Sequence, residues 1–151
     1  MTESLLLLLT TWIIDNTEFT KKIKNPDFFP VSQYEMSRKA CFSSKNCRVK
    51  AYYVKGTGIF YINKLDPQLK ICDRSILLHE LIHHYQRNSD RVIDLDEQTL
   101  WTLQERQALF YQNLFLITQK RENDNKGPEN VLQCEGGSYL DLQYKYNKEK
   151  N

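Results

Sequence analysis

The amino-terminal third of the chain carries two helical patterns with a loop between them. Residues 4–14 are almost continuously apolar, which predicts a buried first helix with Thr2 as its N-cap. A second helix is predicted over residues 32–42, because Ser32 and the glutamate three residues later match a capping box. Two prolines in the intervening segment predict a loop around residues 25–30.

The middle of the chain changes to the two-residue period of β-strands. Two runs rich in β-branched and aromatic residues flank a glycine-containing turn, which predicts a β-hairpin over residues 49–62. A helical pattern then returns and runs to about Gln86, with Asp73 or Ser75 as its N-cap.

A long helix is predicted over residues 96–119, where apolar residues recur at three- and four-residue spacing. The positions that define its face are Leu100, Leu103, Gln107, Phe110, Leu114 and Ile117. A charged loop follows to residue 130, then a short apolar piece over residues 131–143, and residues 144–151 are expected to form a disordered tail. The pattern as a whole predicts one α+β domain over residues 1–143, mainly helical, with a small antiparallel sheet.

Composition excludes several classes of protein. A chain of 151 residues suits one domain, and a formal net charge of +2 is too small to indicate a nucleic-acid partner. The leucine run near the start is short for a membrane span and lacks a basic segment before it, so a membrane role and a signal peptide are both disfavoured. A cytoplasmic location is therefore expected, with export left open. The oligomeric state is not indicated.

The four cysteines show no paired CxxC spacing, which argues against a cysteine-based zinc site. Cys41 and Cys47 can close a short loop in an oxidising compartment. Without an export signal, reduced and partly buried thiols are the default expectation.

The chemistry of the chain is concentrated in His79-Glu80-Leu81-Ile82-His83, an HExxH pattern in a largely apolar helix. Residues i and i+4 lie on one face of a helix, so both imidazoles can reach one metal ion. Buried polar groups need partners, and metal ligation supplies one. All three histidines of the chain fall in this window. The third, His84, points about 100° away and is expected to be hydrogen-bonded rather than ligating.

Catalytic zinc usually has three protein ligands and an open fourth position. The candidates for the third ligand lie downstream of the motif, apart from His84 beside it. They are Asp90, Asp94, Asp96, Glu97 and Glu105. Asp90 and Asp94 fall in the predicted loop, whereas Glu105 lies well inside the long helix, which is a more rigid platform.

The motif together with Glu105-Arg106-Gln107-Ala108 resembles the gluzincin branch of the zinc metallopeptidases, in which a glutamate on a second helix is the third ligand. The motif helix is also similar to small bacterial HExxH domains of unknown function, over most of the chain from Trp12 to about Leu116. The resemblance implies one zinc ion per chain, held by His79, His83 and Glu105, with Glu80 as general base. It also implies a zincin-like fold whose hairpin borders the cleft.

A zinc metallopeptidase acting on a peptide or protein substrate is the function that the resemblance implies. Strand 59–62 is expected to pair with an extended substrate. Three alternatives stay open: a non-catalytic zinc-bound scaffold or peptide-binding module, an accidental HExxH without metal, and a peptidase inhibited by its own segment 120–151. Leu109 stands where many gluzincins have an acid that orients a ligand, so other groups must do this. Asp73, Asp94 and Asp96 are candidates for that role, and Tyr111 and Tyr139 are candidate transition-state donors.

Overall fold

The computed structural model describes residues 1–20, 23–89, 94–123 and Cys134, with side chains of the last helix described to Gln119. Over these residues the fold is α+β, as predicted, with four helices and a three-stranded sheet. The elements in chain order are α1 (Glu3–Asn16), β1 (Asp27–Val31), α2 (Gln33–Ala40), β2 (Ala51–Val54), β3 (Gly58–Ile62), α3 (Ile71–Asn88) and α4 (Glu97–Asn123). The tail over residues 144–151, the apolar piece over 131–143 apart from Cys134, and Tyr139 lie outside the described residues, as does most of the segment proposed to cover the cleft.

Helix ends follow local chemistry in two of the predicted cases. The hydroxyl of Thr2 accepts a hydrogen bond from the Leu5 N–H and caps α1. Ser32 and Glu35 form the reciprocal capping box at the start of α2. Both predicted caps are confirmed.

The start of α3 was predicted too late. Its N-cap position is Lys70, which makes no side-chain cap. Asp73 lies inside the first turn and accepts the Asp66 N–H at 2.9 Å, so it holds the preceding loop against the helix. The extra turn adds a rigid length of helix before the HExxH pattern.

The sheet is mixed, with strand order β1-β3-β2. The hairpin of β2 and β3 is confirmed and antiparallel, whereas β1 pairs with β3 in parallel. The predicted loop over residues 25–30 was wrong from residue 27 onward, because Pro30 sits on an edge strand, where a missing N–H is tolerated. Gly58 makes the pairing possible, since a Cβ there would clash with the Asp27 carbonyl.

Strand β3 is the central strand, so both of its edges already carry partners. The expectation that residues 59–62 pair with a substrate is therefore wrong. The strand that borders the long helices is β2, and its outer edge has no strand partner among the described residues. In an antiparallel pair, bonded positions alternate. Since the Ile62 N–H bonds the Lys50 carbonyl, the backbone groups of Ala51 and Tyr53 point to that outer edge.

Helix α3 packs between the sheet and α4 and carries most of the core. The predicted helix over 96–119 is confirmed as α4, but the predicted face was wrong. Leu103, Phe110 and Ile117 are exposed. The buried positions of α4 are Glu105, Ala108, Leu109, Phe115, Leu116 and Gln119. Apolar residues occur all around this helix, so their spacing alone does not identify the packed side.

Two disulfides join Cys41 to Cys47 and Cys72 to Cys134. The expectation of reduced thiols is therefore wrong. The first bond closes the short loop after α2, and the second ties the first turn of α3 to a distant part of the chain. Among the described helices, none combines the length and apolar character needed to cross a bilayer.

Candidate metal centre

Helices α3 and α4 bring His79, His83 and Glu105 together. The two Nε2 atoms of the histidines lie 3.1 Å apart. The carboxylate of Glu105 lies 3.4 Å from His79 Nε2 and 3.1 Å from His83 Nε2. The longer distance belongs to Glu105 Oε2 and the shorter one to Oε1. One ligand atom from each residue lies within 4.8 Å of the other two, so the three residues form a group that can hold a metal ion.

The separations of His83 Nε2 from His79 Nε2 and from Glu105 Oε1, 3.1 Å each, fit the geometry of zinc. Two donor atoms that each lie 2.0–2.1 Å from a tetrahedral ion are about 3.3 Å apart. The donor set of two imidazole nitrogens and one carboxylate is a usual one for catalytic zinc, which keeps a fourth position open. The third ligand suggested by the family resemblance is the one that the fold places beside the histidines.

A glutamine on α4 orients His79. His79 Nδ1 donates to Gln112 Oε1 at 3.1 Å, and Gln112 Nε2 donates to Ser75 Oγ at 3.1 Å. The hydroxyl hydrogen of Ser75 is used on the Cys72 carbonyl, 2.8 Å away, so Ser75 is an acceptor toward Gln112. This order of donors determines which way the Gln112 amide points. In the neutral form of His79 it leaves the Nε2 lone pair free to bind a metal.

A second glutamine orients His83 in the same way. His83 Nδ1 donates to Gln86 Oε1 at 2.8 Å. Gln86 Nε2 donates to the Gln104 carbonyl and to Gln107 Oε1, at 2.9 and 2.7 Å. A carbonyl only accepts, so Gln86 must turn its oxygen toward the histidine. Gln107 in turn donates to the Glu18 carboxylate.

The carboxylates suggested for this orienting role are not used. Asp73 bonds the Asp66 N–H, and Asp96 accepts the Thr99 N–H at the start of α4. Asp94 is exposed. Sequence reasoning missed both glutamines, although Gln86 stands three residues after His83 and Gln112 seven after Glu105, so each shares a helix face with the ligand it follows.

Glu80 faces the same region from α3 and is buried, with 7% of its surface exposed. Burial raises the pKa of its carboxyl, although His79, His83 and the Tyr53 N–H favour the charged form. The Tyr53 N–H is one of the groups on the outer edge of β2. The candidate base is therefore held by the strand that borders the cleft.

The charges of the three candidate ligands are coupled. Burial raises the pKa of Glu105, but hydrogen bonds from His79 and His83 outweigh it and lower that pKa to about 2. Burial lowers the pKa of His83, and the Glu105 carboxylate overcomes this and raises it. Glu105 is thus an anion at neutral and at mildly acidic pH.

His84 belongs to the scaffold, as predicted. Its Nε2 donates to the Lys24 carbonyl at 2.8 Å, and its Nδ1 lies 3.3 Å from the Tyr53 hydroxyl. Burial lowers its pKa against the effect of the Lys24 bond. This buried, neutral histidine connects α3 to the segment before β1 and to strand β2.

A cleft of about 420 Å³ opens over the three candidate ligands, between β2 and helix α4. The described residues that line it are Ala40, Arg48, Val49, Lys50, Ala51, Tyr52, Tyr53, Ile76, His79, Glu80, His83, Arg87, Trp101, Gln104, Glu105, Leu109 and Gln112. Tyr111 is not among them, since its hydroxyl donates to Glu18. Its candidacy as a transition-state donor is therefore not supported by the geometry.

Replacing Gln112 by alanine is expected to lower zinc affinity by roughly 10- to 100-fold, because His79 loses the group that fixes its ring. A competition titration with a chromophoric chelator measures the change. Gln98→Ala is the matched control, because Gln98 is an exposed glutamine at the other end of the same helix. Equal affinities for the two variants would contradict the orienting role.

Comparison with known proteins yields one family match. A family model described as a domain of unknown function, DUF6647, matches residues 1–120. The match includes the HExxH helix and Glu105. No curated protein and no solved structure matches this chain. The chemistry of the cleft must therefore be argued from its residues.

Proposed function

The chain belongs to the DUF6647 family, and we propose that it is a small zinc-dependent peptidase. The observation that carries the proposal is the convergence of His79, His83 and Glu105 at separations of 3.1–3.4 Å, beside the buried carboxylate of Glu80. The cleft over these residues gives a substrate access to them.

The residues divide the chemistry among them. A zinc ion, when bound, polarises a substrate carbonyl and acidifies a water molecule. Glu80 takes a proton from the attacking water and returns it to the leaving amine, so that one amide bond is exchanged for a carboxylate and an amine. Its raised pKa brings its basicity nearer to neutral pH. Gln86 and Gln112 keep the two imidazoles oriented throughout.

A peptide substrate is supported by the edge of β2. Ala51, whose backbone groups point outward, lines the cleft two residues before Tyr53, whose N–H bonds the carboxylate of Glu80. An extended peptide can add to such an edge through main-chain hydrogen bonds. In this proposal β2 takes the role first assigned to the central strand β3.

The competing proposal is a zinc-bound scaffold without catalysis. A buried carboxylate costs folding free energy unless it is fully paired, and a scaffold needs only the three ligands. The presence of Glu80 in the cleft, with its pKa raised by burial, therefore favours the enzyme.

The first test is the zinc content of the purified chain without a histidine tag, measured by elemental mass spectrometry. We expect close to one zinc per chain, and we expect a chelator to remove both the metal and any peptidase activity together. A chain that takes up no zinc even when zinc is supplied would overturn the proposal.

We also propose that the chain works in an oxidising compartment. Both disulfides support this, since such bonds persist outside the reducing cytoplasm. Alkylating cells before lysis, then counting labelled cysteines by mass spectrometry, is expected to find none of the four modified. Labelling of all four would restore the cytoplasmic expectation.

A further inference from the structure

The charge of the cleft differs from that of the chain as a whole. Lysines and arginines nearly balance the acids over the whole sequence, 21 against 19. Among the described residues that line the cleft, the only acids are Glu80 and Glu105, which belong to the candidate centre. The bases are Arg48, Lys50 and Arg87.

With zinc bound, its two positive charges would offset the two carboxylates, so the lining keeps a net positive charge, to which Arg48 and Arg87 contribute. Arg48 and Arg87 are exposed at the rim, and neither has a carboxylate partner among the described residues. Two exposed arginines over a cleft create a positive potential and present forked N–H donors, so they favour a ligand that brings its own negative charge.

The bases come from the two elements that flank the site. Arg87 follows His83 by one helical turn, on the same face of α3. Arg48 and Lys50 precede Ala51 at the start of β2, three to five residues before Tyr53, whose N–H holds Glu80. At a strand rise of about 3.3 Å per residue, they lie within roughly 17 Å of the candidate base along the edge of the strand.

We propose that the substrate is an anionic peptide whose carboxylate lies within about five residues of the bond that is cut and is bound by Arg48 and Arg87. This inference rests on the proposed peptidase function and names its substrate class. A carboxylate matches the planar donors of arginine, which bind it with two parallel hydrogen bonds. Its source is either an acidic side chain or the carboxyl terminus of the peptide.

The test uses zinc-loaded Glu80→Gln protein, so that binding is read without turnover. A random ten-residue peptide library is passed over the immobilised protein in two forms, with a free carboxyl terminus and with a terminal amide. Retained peptides are sequenced by mass spectrometry. Enrichment of Asp or Glu in both forms identifies a side chain, whereas retention of the free-acid form alone identifies the terminus.

Fluorescence anisotropy then compares a retained peptide with its Asn, Gln or amide counterpart. We expect the carboxylate form to bind at least roughly tenfold more tightly at low salt, with a smaller ratio at high salt. Arg48→Gln with Arg87→Gln is expected to remove the preference. Lys64→Gln, an exposed base outside the cleft, is expected to keep it.

The outcomes separate the two proposals. Glu80-dependent cleavage by the wild-type chain without any carboxylate preference would overturn the substrate class and leave the peptidase standing. Carboxylate-selective binding without cleavage would support a cationic cleft that binds anionic peptides and would remove the peptidase. Retention of no peptide, or a preference unchanged in the double variant, would overturn the inference.

Discussion

Replacing Glu80 by glutamine is expected to lower peptide hydrolysis by roughly 10²- to 10⁴-fold, the usual contribution of a positioned general base. Zinc remains bound, because the amide keeps the shape of the side chain and Glu80 is not among the three candidate ligands. Turnover of a peptide library and zinc content are measured on the same preparation. Full turnover, in protein shown to be free of contaminating protease, would contradict the role of Glu80.

A control variant and a stability measurement test whether the loss of activity comes from the missing base. Glu97→Gln makes the same chemical change at an exposed position on α4 and is expected to keep full activity. Burial raises the pKa of Glu80 above its ordinary value of 4.5. The contribution of its protonated form to stability is therefore fully present below pH 4.5, and it is lost as the pH rises through the pKa of the folded state. In chelator-treated protein near neutral pH, the Glu80→Gln variant is therefore expected to unfold at a higher denaturant concentration than the wild type. Its free energy of unfolding is expected to be higher by about 1 kcal/mol. A less stable variant would indicate a misfolded site rather than a missing base.

Replacing Glu105 by alanine is expected to lower zinc affinity by more than about 100-fold. This exceeds the usual effect of replacing a residue that only hydrogen-bonds to a metal ligand. The variant loses a donor atom and the negative charge that lies 3.1 Å from His83 Nε2. Competition with a chelator of known affinity measures the loss. Glu97→Ala, which removes an exposed carboxylate from the first turn of the same helix, is expected to bind zinc as the wild type does.

Equal affinities of the Glu105 and Glu97 variants would refute the ligand assignment. A cavity left by alanine is a separate cause of weak binding, because Glu105 is buried. Glu105→Gln fills that space and still removes the charge. Weak binding by both Glu105 variants would therefore locate the effect in the carboxylate.

The parts of the site that sequence could predict are those determined within one helix. The four-residue spacing of His79 and His83 follows from helical geometry, and Glu80 comes with it. Glu105 required a resemblance to known peptidases, because a contact between two helices leaves no local pattern. The supporting glutamines were missed for a related reason. Glutamine is uncharged and common on helix surfaces, and its role depends on which residue of the neighbouring helix it contacts.

The same limit applies to the fold, of which the locally determined parts could be predicted. Capping residues act on the next turn of backbone, so Thr2 and Ser32 could be recognised from sequence. Strand β1 could not, because its partner β3 lies about thirty residues away and a proline normally argues against a strand. The packed face of α4 was missed because Leu103 and Phe110 suggest a core position and yet lie exposed. That face is set by α3, not by the helix itself.

The hydrogen bonds from the two histidines to Gln112 and Gln86 also affect how the site responds to acid. Aspartate behind a ligating histidine gains a proton near pH 4 and can then release the ring. An amide side chain does not titrate, so the bonds from His79 to Gln112 and from His83 to Gln86 keep their donors and acceptors at any pH at which the fold survives. If the site binds zinc as proposed, acid can remove the metal only by protonating the ligands themselves. The hydrogen bonds that orient both histidines would then still be in place when the pH recovers.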